Sequence, residues 1–128
     1  MGDFLMGDAF GPLEEQMKFR IARQAALASN LANADTPGYR RIDLHFDAAL
    51  DTATLKLQRS DGRHLPGRGE AGNYRIETGP RGTRPDGNGV NVDAEIILAN
   101  RNAGAFIDMA NVMNRIIKMR ASALQVRR

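Results

Sequence analysis

From Ile96 to Leu124, apolar and small residues return at alternating spacings of three and four without a break. They are Ile96, Ala99, Ala103, Phe106, Ala110, Met113, Ile117 and Leu124, with Arg120 filling one place. This is the heptad pattern of a coiled-coil seam, and it leaves room for little other than one long helix. A second stripe runs beside it through Asn102, Ala105, Met109, Val112, Ile116, Met119, Ala123 and Val126. One partner helix covers one seam, so two stripes predict two neighbours. Asn91 is placed as the N-cap, with Asp93 and Glu95 in the first turn, where the helix dipole favours acids. Lys118, Arg120, Arg127 and Arg128 stand at the other end, where it favours cations. A helix of about 33 residues spans about 50 Å, more than the width of a small globular domain.

A shorter helix precedes it. Phe10, Leu13, Met17, Ile21, Gln24, Ala28 and Leu31 share one stripe, Gly11-Pro12 marks a start, and Glu14 and Glu15 follow near the positive end of the dipole. A brief amphipathic helix over Phe4 to Phe10 can come before it. Asn30 and Asn33 weaken the helix, and Thr36, standing before Pro37, is pushed out of helical geometry, so the end is expected near Asn33. Thr36-Pro37-Gly38-Tyr39 has the chemistry of a type II turn: proline presets the second position and glycine accepts positive φ at the third. Beyond it, "YRRIDLHFDAAL" reads as extended chain and then a short helical turn.

Residues 51 to 90 hold 8 of the 13 glycines and 3 of the 5 prolines, with no sustained apolar period. "NYRIETG" alternates enough for a short strand, while "RSDGRHLPGRGEAG" has the composition of a flexible excursion. The fold class is therefore mainly α: long N- and C-terminal helices forming a coiled coil, with a loop-rich, partly β or disordered middle. The natural divisions are a helical segment at 1–34, the corner and flexible region at 35–90, and the coiled-coil helix at 91–128.

Composition argues against a self-sufficient core. The apolar share is 42%, but much of it is alanine, and five Phe, two Tyr and no Trp supply little large buried area. Alanine- and methionine-rich seams make modest, adaptable contacts, so much of the stabilisation is expected from copies packing together. The 18 basic and 15 acidic residues leave a dispersed net charge of +3, without the dense basic stripe and interleaved aromatics of a nucleic-acid binder. The absence of cysteine excludes disulfides and thiolate metal sites. No apolar run approaches the ~20 residues of a membrane span, and "MGDFLMGDAFGPLEEQ" lacks the basic start of a signal peptide. It also lacks the residue that myristoylation prefers at position six.

Local signatures of chemistry are weak. "GRGEAG" at Gly67 to Gly72 matches a nucleotide-binding glycine pattern but lacks the strand before it and the helix after it. "DGNGVNVDAE" departs from a calcium loop at Val90 and Asn91, where an oxygen ligand and a glycine are required. His45 and His64 have no cysteine or carboxylate cluster around them and read as surface or packing residues. No nucleophile, base and orienting group are suggested together, and no metal or other cofactor is expected.

"RQAALASNLANADTPGYRRIDL" at residues 23 to 44 resembles the N-terminal signature of the bacterial flagellar rod, hook and hook-associated proteins. "DGNGVNVDAE" and the long heptad helix resemble the C-terminal half of that superfamily. Within it, the short length, "HL" at His64-Leu65 and "NYRIETG" before "DGN" are similar to a proximal rod subunit of the basal body. The resemblance implies a structural, non-enzymatic protein, exported without a cleaved signal peptide and polymerised as a homo-oligomer in the periplasmic rod. The implied partners are other flagellar rod subunits, the basal-body adaptor and membrane-ring or export-gate proteins, with no nucleic acid and no direct lipid contact.

The residues then expected to carry assembly fall in three groups. Leu13, Met17, Ile21, Ala28 and Leu31 lie on the first helix. Ser29, Asn30, Asn33, Thr36, Pro37, Gly38, Tyr39 and Arg40 form the corner, which would send the chain across an adjacent subunit with Arg41 in the contact. Ile96, Ala103, Phe106, Ala110, Met113, Ile117 and Leu124 lie on the last helix. The competing reading is a cytoplasmic helical coiled-coil adaptor.

Overall fold

The computed structural model describes residues 10–46 and 74–126. In chain order they form helix α1 (Phe10–Ala32), strand β1 (Ile42–Phe46), strand β2 (Tyr74–Thr78) and helix α2 (Val92–Val126). The expected helix at Phe4, the helical turn after Phe46, the excursion around "GRGEAG", His64, Arg127 and Arg128 lie outside the described residues.

α1 begins at Phe10 with Pro12 in its first turn and ends at Ala32, as the sequence predicts. The corner is the expected type II turn: the Tyr39 amide donates to the Thr36 carbonyl at 3.3 Å, and Gly38 adopts φ +71°. "NYRIETG" supplies β2, which pairs antiparallel with β1 in the register Ile42 with Thr78, Leu44 with Ile76 and Phe46 with Tyr74. α2 is capped where expected. The Asn91 side-chain oxygen accepts from the Ala94 amide at 3.2 Å, and Asp93 and Glu95 stand in the first turn.

The two helices run antiparallel, because Asn30 meets Glu95, Gln24 meets Asn102, and Phe10 near the start of α1 lies under Arg120 near the end of α2. At 1.5 Å per residue α1 is about 35 Å long and α2 about 52 Å, so α1 does not cover its partner. The hairpin lies on another side of α1, and the small apolar core sits there. Phe19, Ala26 and Leu44 are buried, with Ala22, Ile42, Phe46 and Tyr74 packed around them. Phe19 meets Phe46 edge-on at 5.6 Å and Tyr74 at 6.2 Å. Each fully buried side chain of this size contributes about 1.5–3 kcal/mol, and there are few of them.

One expectation changes. The buried line of α1 is Phe19, Ala26, Leu27 and Asn30, whereas Ile21 and Ala28 on the expected stripe are exposed. Alanine is spread around the whole helix, so periodicity alone does not say which side the hairpin takes. Along α2 the chain's own α1 shields part of both stripes. Ala99, Ala103, Phe106, Ala110 and Met113 of one, and Ala105, Met109 and Ile116 of the other, are all half-buried. Small residues let α1 nestle between the stripes and shield part of each.

Candidate assembly site

Asn30 is completely buried and fills all four of its hydrogen-bonding positions. Its amide donates to the Ile42 carbonyl at 2.7 Å and to Glu95 Oε2 at 3.1 Å. Its carbonyl accepts from the Ile42 amide at 2.9 Å and from the Tyr39 hydroxyl at 3.1 Å. One side chain of α1 thus stands in for a neighbouring strand along β1 while also touching the first turn of α2. Asn30, a residue type that weakens a helix on its own, finds tertiary partners here instead.

Around it runs a chain of ions. Arg23 grips Asp43 with two bonds, Nε to Oδ1 at 2.8 Å and Nη2 to Oδ2 at 3.0 Å. Arg41 reaches Asp43 Oδ2 at 3.4 Å and Glu95 Oε1 at 2.5 Å. Asp43 and Glu95 are both buried. Burial on its own would raise the Asp43 pKa, but bonds from Arg23 and the Leu44 amide and the charges of Arg23 and Arg41 outweigh it and hold the carboxyl below its ordinary value. The bond to Asp43 raises the pKa of Arg23, and the bond to Glu95 raises that of Arg41.

The turn at Pro37 is held from behind by the segment that leads into α2. Asn88, 1% exposed, donates its side-chain amide to the carbonyls of Asn33 at 2.9 Å and Thr36 at 2.8 Å. Asp86 accepts the Gly38 amide and Tyr39 accepts the Gly89 amide, at 2.8 and 2.9 Å. Asn33 closes the helix end through its side-chain amide on the Ser29 carbonyl at 2.8 Å, while its side-chain oxygen accepts from the Thr36 hydroxyl at 3.1 Å. The "DGN" stretch thus acts as a clasp on the corner, and Asp86 spends an oxygen on the Asn88 amide at 3.0 Å. Among the described residues no group of histidine and carboxylates could hold a metal ion. His45 pairs with Glu77 at 3.0 Å on the surface.

The corner residues expected to reach a neighbour are engaged within the chain. Tyr39 bonds Asn30, Arg40 donates to the Gly79 carbonyl at 2.8 Å, and Arg41 holds Glu95. Pro37 and Gly38 are exposed beside them. On the helices the situation is reversed. Ile96, Ile97, Ile107, Val112, Ile117, Met119 and Leu124 of α2 are 44 to 69% exposed, and Ile21 of α1 is 59% exposed. An apolar groove of about 430 Å³ lies between the helices, lined by Ile21, Ala25, Ala28, Ala103, Phe106 and Ile107 together with Arg20 and Gln24. That is an unusual amount of large aliphatic side chain for one helix to expose. Leu13, Met17 and Leu31 are half-buried. No described helix is long and apolar enough to cross a membrane.

Sequence reasoning missed Arg23, Asp43, Asn88 and the bracing role of Asn102, which joins the helices at mid-length. Asn102 carried a readable signal, an amide standing alone within an apolar stripe. The others are paired over separations of 20 residues or more that no local pattern reports.

The family model described as flagella basal body rod protein matches residues 18–40, the stretch from mid-α1 through the corner. The chain is 35% identical over 96 residues to the flagellar basal body rod protein FlgB of Proteus mirabilis, covering 64% of this chain and 68% of that one. The FlgB of Escherichia coli is 33% identical over 96 residues, with 64% and 67% covered. The FlgB of Aquifex aeolicus is 31% identical over 123 residues and spans 84% of this chain and 91% of its own.

Proposed function

The chain belongs to the FlgB family of flagellar basal body rod proteins, and from that premise we propose how it is built into the rod. It is a structural subunit of the proximal rod. The exposed aliphatic side chains on α2 and the groove beside Ile21 take the helices of neighbouring copies and of other rod subunits, while the corner fixes the angle at which the chain leaves the helical layer. The observation that carries this is the surplus of uncovered apolar surface on a helix about 17 Å longer than its partner. Burial of that surface drives association, and α1 meets only one side of α2 and leaves these side chains uncovered.

The finer placement is part of the same proposal. The subunit leaves the cytoplasm through the flagellar export route without a cleaved signal peptide and joins the rod in the periplasm. Adaptor and membrane-ring or export-gate proteins lie below it and other rod subunits above. It performs no catalysis and takes no cofactor. Neither nucleic acid nor lipid is a partner, since the net charge of +3 is small and dispersed.

The test is deletion of the gene, complementation with a tagged chain, and isolation of basal bodies. The tagged chain is expected within the rod density, and motility is expected to be lost on deletion and restored by the tagged copy. Complemented, motile cells whose basal bodies lack the tag would overturn the assignment.

A further inference from the structure

Asn102 stands one heptad beyond Glu95 on the side of α2 that meets α1, and each is 1% exposed. Its amide donates to the main-chain carbonyl of Arg20 and to Gln24 Oε1, both at 2.8 Å, and its carbonyl accepts from Arg20 Nη1 at 3.4 Å. From there to Ile116 the half-buried residues of α2 are alanines, Phe106, methionines and Ile116 itself. Contacts of that kind resemble one another from heptad to heptad. They do not distinguish one register from the next.

We propose that Asn102 is the register-determining residue of the helix pair. Asn30 with Glu95 anchors one end, and Asn102 with Gln24 and Arg20 supplies a second anchor. One anchor fixes an end; two fix an axis. Together they hold α1 on α2 in a single register. A slip of one heptad along α1 would bring Asn102 from Gln24 to Met17 or Leu31, neither of which offers a side-chain partner, and would leave a buried amide unmatched. Removing the amide frees the Arg20 carbonyl, which lies within the helix ladder, and half-buried Gln24, but it also takes a bond from the Arg20 guanidinium, whose Nε is already buried without a partner. The residue therefore fixes register and contributes to stability together.

This rests on the rod reading only for why a fixed register matters in a subunit that must repeat, and its test uses the isolated full-length chain. Because the sequence has no cysteine, Glu14→Cys with Arg115→Cys, both exposed, gives two specific spin-label sites. The wild-type background is expected to show one narrow distance that an excess of unlabelled chain does not alter. Asn102→Leu is expected to broaden the intramolecular distribution about twofold. Asn102→Ala tests the same loss of the amide without added bulk, and Gln24→Leu is expected to reproduce the broadening. A single narrow distance in these variants, a lowered melting temperature without a change of distance, or a broad distribution in wild type overturns the proposal.

Discussion

An asparagine inside a helix ordinarily weakens it, because its amide competes for nearby backbone groups. At position 30 the competing partners lie on another element, and the sign reverses. Asn30→Ala would leave the Ile42 amide and carbonyl, the Tyr39 hydroxyl and a Glu95 oxygen each short of a bond. At about 1 kcal/mol per lost bond the cost is about 3–4 kcal/mol, read as a fall of roughly 10–15 °C in a thermal melt. Asp43 makes a second prediction, through pH. Its carboxyl is held below its ordinary value, so the stabilisation it contributes is complete above the unfolded value of about 3.9 and is lost as pH falls through the lower folded value. Unfolding followed by circular dichroism should show acid destabilisation below about pH 4. Asp43→Asn should flatten that part of the curve while costing about 3 kcal/mol at neutral pH, because Arg23 loses its fork partner and Arg41 one of two acids.

At the scale of elements, the corner and its clasp separate two kinds of glycine. Gly38 has φ +71° and open space where a Cβ would stand, so Gly38→Ala is strained only by its backbone, about 1–2 kcal/mol, and a β-branched Gly38→Val by more. A Cβ at Gly82 would overlap the Asn88 carbonyl oxygen, and no rotamer relieves a clash with backbone. Gly82→Ala must therefore shift the 79–91 segment off the corner, costing about 3 kcal/mol or more. Hydrogen exchange would show this as lost protection at the Gly38 and Gly89 amides. Gly38→Val should block rod assembly while the exported amount stays at the wild-type level, which an immunoblot of secreted protein against purified basal bodies would check. These elements also show what a sequence discloses. The turn at Pro37 and the Asn91 cap were readable because their hydrogen bonds close within three residues. The bonds from Asn88 to Asn33 and Thr36 and from Arg41 to Glu95 close over more than fifty, and they exist only once the helices have met. Local chemistry named the corner, but it did not reveal what presses on it.

For the whole molecule, the division of labour is between a polar clasp that settles one end of the helix pair and apolar surface that the rest of α2 leaves uncovered. That division separates folding from assembly in a single variant. Ile117 and Leu124 are 50% and 69% exposed, so Ile117→Glu with Leu124→Glu removes little that the isolated chain has buried. Surface substitutions of this sort change stability by about 0.5 kcal/mol or less, and the melting temperature should stay near that of wild type. In a rod the same positions would be dehydrated against a neighbouring helix. There each substitution forfeits about 1–2 kcal/mol of apolar burial and adds the cost of desolvating a carboxylate, so the pair should weaken each subunit contact by a factor of at least about a hundred. Lys118→Ala, exposed between them, serves as the control and should incorporate normally. Quantifying each variant in isolated basal bodies, beside its melting curve, decides the matter. The double variant should fold and be missing from the rod, and its presence there at wild-type levels would mean that this end of α2 faces solvent in the assembled structure too.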